Sequence, residues 1–356
     1  MKPATLRGLA IALPVGAAGG TVFYVLSLPL AWMLGSMIAV MIVAFAGAPV
    51  RMPGRFRGVF ATVIGVLLGS AFTPELLEQA GRFGATLLIQ VGFMAVAMAT
   101  AYWIYRTLGR YDRTTAYFSS TPGGLSEMTL ISEAMGGDSR IVPLNHGVRI
   151  VLVVTLISFY FRYVEHLAVP TTPQSGAHIA STPLEIALLV ACAVVGWAVA
   201  SRLRIPAAPL IGPMVLSALL HATGISNATL PVWLVSAALV VIGTSVGCRF
   251  VDRLGFAVMA RTLGIALLAG LSMIGIAIVV AAGFAWITGL DGFVLFLSIA
   301  PGGLAEMSLI AFALAADTAF VTIMHFLRVL VVMLSGALVF RLLFGRPTTA
   351  KERAET

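Results

Sequence analysis

The residues able to do chemistry in this chain come in matched pairs. Glu127, His146 and Arg149 recur as Glu306, His325 and Arg328, a displacement of 179 residues. The acids lie in a longer repeated stretch, Thr121-Pro-Gly-Gly-Leu-Ser-Glu-Met128 and Ala300-Pro-Gly-Gly-Leu-Ala-Glu-Met307. A guanidinium grips an anion through its planar fork, and a histidine or an acid at membrane depth can carry a proton. His146 and Arg149 are spaced to share one helix face, as are His325 and Arg328. We assign substrate contact to Thr121, Pro122, Gly123, Gly124, Ser126 and Arg149, and in the second copy to Pro301, Gly302, Gly303 and Arg328. Ion or proton coupling falls to Glu127, His146, Glu306 and His325. The purely structural alternative is a static Glu–Arg ion pair holding each copy in place. Asp138 and Asp317, related by the same displacement, read as caps of the helix that follows.

What must position these residues is a break in an apolar helix. Proline removes a backbone donor, and glycine costs about 1 kcal/mol against alanine in a helix interior. In hydrocarbon every backbone polar group needs a partner, so such a break survives only inside protein or along a wet cavity. Pro122 and Pro301 are expected in the first turn of a half-helix, with Thr121 as a cap and Ala300 unable to cap. Open amides at such a helix start favour an anion, and the glycines allow it close to the backbone. A tight helix crossing through small residues is the structural alternative. Repetition of the break beside an acid favours the transport site.

The whole chain has the composition of a membrane protein. Of 356 residues 60% are apolar and 10% charged, with a mean hydropathy of +1.03; soluble domains carry about 25% charged residues. Uncharged runs such as 179–201 and 262–290 reach the roughly 20 residues needed to cross a bilayer. The net charge of +8 resides in short basic clusters between apolar spans, as the positive-inside rule requires, and implies no nucleic-acid surface. Cys192 and Cys248 lie in apolar segments and form no disulfide framework. There is no HExxH, paired-cysteine spacing, P-loop or dinucleotide fingerprint, so we expect no metal, no cofactor and no enzymatic activity. Lys2 and Arg7 precede an apolar run that resembles a signal peptide. It extends to about Leu28 without a small-x-small site, and reads as a retained first helix.

Apolar spans are predicted at 8–27, 29–48, 57–72, 83–105 and 140–163, then at 183–201, 206–222, 231–250, 262–288 and 319–343. Interrupted stretches at 112–136 and 291–315 read as re-entrant helical hairpins, because each arm is too short to span. The proline-rich polar stretch 166–182 is a linker between a first membrane repeat, 1–165, and a second, 183–345, with a cytoplasmic tail at 346–356. Leu28-Pro29 and Met33-Leu34-Gly35-Ser36 echo Ile205-Pro206 and Leu210-Ile211-Gly212-Pro213, and Val63-Ile64-Gly65 echoes Val241-Ile242-Gly243. Basic loops follow the second and fourth spans of the first half but the first and third of the second half. Equivalent spans therefore run in opposite senses. The fold class is an all-α polytopic membrane protein of two inverted repeats, each with about five transmembrane helices and a re-entrant hairpin. Arg162 alone falls on the wrong side of this scheme.

The twin Pro-Gly-Gly-Leu-(Ser/Ala)-Glu-Met motifs, each followed by His-x-x-Arg, resemble the AbrB family of bacterial membrane proteins. The resemblance spans nearly the whole chain and implies a duplicated membrane unit. Members carry labels such as ammonia monooxygenase or regulator of gene expression. No copper or iron ligand set can be assembled from these residues, so they lend the first label no support. Two functions stay open: a secondary transporter of a small anion coupled to protons or sodium, and a membrane-embedded sensor that binds a ligand without moving it. Either implies an anionic small-molecule substrate, membrane lipid and no nucleic acid, with homodimerisation left open. The location implied is the bacterial inner membrane, with both termini cytoplasmic. A cysteine introduced at Ser175 should then label from outside and one at Thr349 from inside; labelling of both from one side would refute the inverted topology.

Overall fold

A computed structural model describes residues 3–72, 80–123, 125–166, 182–226, 228–250 and 256–345. The side chains of residues 3–4, 80–83, 85, 125–127, 256–257 and 288 are outside that description. The described chain is helical throughout its length: α1 (Pro3–Val25), α2 (Ala31–Phe45), α3 (Gly54–Gly69), α4 (Ala80–Thr107), α5 (Arg113–Ser120), α6 (Leu125–Ala134) and α7 (Ile141–Tyr163). Then follow α8 (Pro183–Arg202), α9 (Ala208–Ala222), α10 (Val232–Gly247), α11 (Phe256–Thr288), α12 (Gly292–Ile299), α13 (Leu304–Ala313) and α14 (Thr318–Phe344). This is an all-α polytopic membrane protein. Among the described residues, seven helical segments have the length and apolarity to cross a bilayer: Thr5–Val25, Thr86–Thr107, Ile141–Tyr163, Pro183–Arg202, Val232–Phe250, Val258–Ile287 and Thr318–Phe344.

All ten stretches expected to span are helical, but three are short. α2 and α9 have 15 residues and α3 has 16. At about 1.5 Å per residue they are roughly 23 Å long, less than the hydrocarbon core of about 30 Å. The reason is local chemistry at their starts. Leu30 and Ala207 precede α2 and α9 in the left-handed region, with φ of 46° and 49°, and Pro53 delays the start of α3. Both interrupted stretches are found as a helix of eight residues, a break and a helix of ten. Their entry is set by acids: Asp112 accepts from the Thr115 amide and Asp291 from the Phe293 amide. Most of the linker 166–182 and all of the tail 346–356 lie outside the described residues.

The helices gather into two compact units that do not follow the chain's halves. The first contains residues 1–81, 154–252 and 305–322, and the second contains 82–153, 253–304 and 323–356. In the first unit, glycines let backbones approach closely. A Cβ on Gly35 would lie 2.3 Å from the Gly19 carbonyl oxygen, and one on Gly212 would lie 2.0 Å from that of Gly196. Likewise a Cβ on Gly65 would lie 2.3 Å from the Leu210 carbonyl oxygen, and one on Gly243 would lie 2.2 Å from that of Met33. So α2 rests on α1 and α10, while α9 rests on α8 and α3. The third helix of each half thus packs on the second helix of the other. Lipid provides no hydrophobic drive between helices, so close contact through small residues supplies the cohesion.

The second unit instead has a large-residue core. Phe93, Ala97 and Tyr105 of α4, Tyr117 and Phe118 of α5, Met273 of α11, Ile299 of α12 and Phe340 of α14 are all buried in it. Replacing Gly35 by alanine should destabilise the protein by about 1–3 kcal/mol, the usual cost of overpacking, since the obstructing atom is backbone. A thermal melt in detergent that matches wild type would refute this packing.

Candidate functional site

The two breaks are built alike from the second unit's own helices. A helix leaves its last four carbonyls without partners, and α5 and α12 end among buried residues, Ser120, Thr121, Ile299 and Ala300, out of reach of water. His146 Nε2 donates to the Phe118 carbonyl at 2.9 Å, and His325 Nε2 to the Leu297 carbonyl at 2.8 Å. Arg149 Nη1 donates to the Thr121 carbonyl at 3.3 Å, and Arg328 Nη1 to the Ala300 carbonyl at 2.7 Å. The acceptor lies 28 residues before its donor in each of these four bonds. Each His-x-x-Arg therefore closes the open end of the half-helix before it. A cation at a helix C-terminus also complements the dipole.

Both arginines are almost wholly buried, Arg149 at 5% and Arg328 at 2% exposure. Arg328 Nη2 additionally donates to the Gly302 carbonyl, so two arms of its fork hold backbone oxygens. The Nε–H of each arginine has no partner among the described residues. The sequence suggested a fork gripping a carboxylate with both arms, or a static pair with glutamate. The described bonds of Arg328 instead go to carbonyls, because the broken backbone is the nearer and unavoidable acceptor.

The other predicted residues are placed as follows. Pro122 and Pro301 lie in the breaks, three residues before α6 and α13, and not in a first helical turn. The Thr121 hydroxyl donates back to the Tyr117 carbonyl at 2.8 Å and closes α5 instead of capping α6. Gly123 is packed so closely that a Cβ there would lie 2.7 Å from Val332 of α14. Gly302 and Gly303 complete the second break. Gly124 and the side chains of Ser126 and Glu127 lie outside the described residues. Glu306 stands in the first turn of α13. Asp138 accepts from the amides of Arg140 and Ile141, and Asp317 from that of Phe320, so both cap as expected. Burial opposes ionisation of Asp138, but the hydrogen bonds and charge of Arg140 outweigh it and hold the carboxyl below its ordinary range. Among the described residues, no three His, Cys, Asp or Glu side chains come together as metal ligands would.

Two buried polar residues escaped the sequence reading. Asn145, one turn before Arg149, meets the Ser119 hydroxyl at 3.0 Å, and Gln90 of α4 donates to the Ser298 carbonyl at 3.4 Å. Ser119 and Ser298 are equivalent positions, so each half-helix carries a carboxamide at the same register. Neither amide could be found from the repeat, because the equivalent residues, Met324 and Ala269, are apolar.

Residues 32–344 match the family described as Transition state regulatory protein AbrB. The chain belongs to the AbrB family. Among AbrB relatives it is 24% identical over 319 residues to "Putative regulator AbrB" of Escherichia coli (strain K12), covering 90% of this chain and 91% of that one. It is 25% identical over 345 residues to "Uncharacterized protein YhjN" of Bacillus subtilis (strain 168), covering 90% and 88%. This AbrB-family site makes a specific demand on Arg328. Lysine keeps the charge but offers one nitrogen where two arms now serve two carbonyls. Arg328→Lys should lower thermal stability in detergent by about 1–3 kcal/mol, the cost of a buried acceptor left unmade. An unchanged melt would remove the arginine from this role.

Proposed function

We propose that this AbrB-family protein is a secondary transporter of a small anion, driven by protons or sodium, and not an enzyme. One observation carries the reading: a buried guanidinium stands at each of two equivalent helix breaks, each keeping an unpartnered Nε–H among the described residues. A bound anion would supply a countercharge and accept the spare donors. Buried charge at membrane depth is costly and usually has a task, and paired broken helices suit a site of alternating access. The reading includes inverted repeats with five crossings and a re-entrant hairpin each, an inner-membrane location and cytoplasmic termini. It is supported by the basic loops and by the recurrence of helix lengths from α5–α6 to α12–α13.

The regulator names of the family and of the Escherichia coli relative favour a second reading, a membrane sensor that binds the same anion without moving it. Reconstitution into proteoliposomes separates the two, with radiolabelled succinate, citrate, lactate and inorganic phosphate as probes. A transporter accumulates at least one of them and exchanges it in counterflow. Binding without flux would establish the sensor, and absence of both would overturn the anion site.

A further inference from the structure

The two copies of His-x-x-Arg are the same in sequence but differ in one nitrogen. His146 and His325 both direct Nε2 at a carbonyl oxygen, which can only accept, so both carry their proton on Nε2. Nδ1 of His146 then faces Arg149 Nη2 at 2.9 Å. A guanidinium only donates, so this nitrogen must keep its lone pair, and a second proton would break the contact. In the other copy Arg328 spends Nη2 on the Gly302 carbonyl instead. Nδ1 of His325 is left buried with no partner among the described residues.

Resting on the transporter reading above, we propose that the coupling ion is a proton and that His325 Nδ1 carries it, one proton moving with each anion. The surroundings explain why carriage is conditional. Of the second unit's charged and titratable groups, Arg328 is three residues on along the same helix, Arg149 is on α7, Tyr105 on α4, and Tyr117 of α5 is engaged elsewhere, its hydroxyl donating to the Gly336 carbonyl. Gln90 of α4, bonded to Ser298 next to the carbonyl that His325 holds, does not titrate. A proton on Nδ1 would be a second positive charge beside the Arg328 guanidinium, three residues on along the same helix. A bound anion supplies the missing countercharge and makes the imidazolium tolerable. By linkage the proton must then strengthen anion binding by the same factor. His146 is a positioning residue: it holds the first break and keeps Arg149 in place.

The test reads proton uptake with a pH-sensitive dye. Succinate, citrate, lactate or inorganic phosphate, matched in pH, is added to the purified protein in weakly buffered detergent. Wild type should take up about one proton per anion bound, as a single linked site requires. His325→Gln preserves a donor for the Leu297 carbonyl but has no titrating nitrogen, and should bind more weakly with no proton uptake. His146→Gln and Glu306→Gln should both still take up the proton, whatever they lose in affinity. Binding to wild type without proton uptake overturns the proposal, and so does loss of uptake in Glu306→Gln with retention in His325→Gln. Should His325→Gln fail to fold, wild type labelled with 15N-histidine decides. One imidazole must gain an Nδ1 proton on anion addition, its signal must persist in His146→Gln, and no such change refutes the idea. If none of the four anions binds wild type, it is the transporter reading that fails.

Discussion

Unmet carbonyls are the constraint on which the site depends. Breaking a helix inside a bilayer leaves peptide oxygens that neither water nor the next turn can satisfy. In this chain the donors are brought from the following long helix, with histidine reaching the last turn of the half-helix and arginine reaching the break itself. This fixes why the pair is His-x-x-Arg: three residues apart, the two side chains stack on one face of α7 or α14 and address carbonyls three residues apart on α5 or α12. It also explains why the arginines tolerate burial. Their charge is spread over oxygens at the negative end of a helix dipole instead of being matched by a single carboxylate.

The first unit answers a different problem. Its helices cross by backbone approach, Gly35 on Gly19, Gly212 on Gly196, Gly65 on Leu210 and Gly243 on Met33, among buried apolar side chains such as Leu34, Ile64 and Leu239. These contacts leave little slack, because in each the opposing atom is a carbonyl oxygen that cannot rotate away. Polar side chains there are tied locally: Ser217 donates to the Val66 carbonyl at 2.8 Å, and both ring nitrogens of His221 meet carbonyls, those of Ser217 and Ala228. The second unit is packed with aromatic and methionine side chains and keeps most of its orphaned polar atoms beside the two breaks, those of Gln90, Asn145, Arg149, His325 and Arg328 among them. The first unit has such atoms too, those of Thr155, Ser158 and Thr244 among the described residues, so what distinguishes the breaks is that their spare donors belong to buried charged groups.

Duplication supplies the frame and divergence supplies the chemistry. The half-helices agree in length, cap and register, yet the first is lined by Tyr117, Ser120 and Thr121 where the second has Phe296, Ile299 and Ala300. Asn145 faces Met324 across the repeat. An anion held between two guanidiniums would therefore meet one polar and one apolar side. The difference at Nδ1 of the two histidines belongs to the same divergence: Arg149 Nη2 meets the nitrogen of His146, whereas Arg328 Nη2 meets the Gly302 carbonyl.

Much of this was legible in the chain itself. Composition alone required a membrane protein, and the repeated Pro-Gly-Gly required two breaks, since no uninterrupted helix accommodates that triplet in hydrocarbon. Spacing put His146 with Arg149 and His325 with Arg328, and Asp138 and Asp317 announced themselves as caps. Those properties are local or periodic, so sequence carries them. What each guanidinium touches is not local. The carbonyls it meets lie 28 and 26 residues away, and competition between a carboxylate and an open helix end is decided by which acceptor the packing brings within reach. Gln90 and Asn145 have apolar counterparts, Ala269 and Met324, in the other copy, so pattern could not flag them, and only packing brings them to the half-helices. The regrouping of the helices into two interleaved units was equally out of reach. It depends on which glycine faces which carbonyl, and that is settled only when distant segments are brought together.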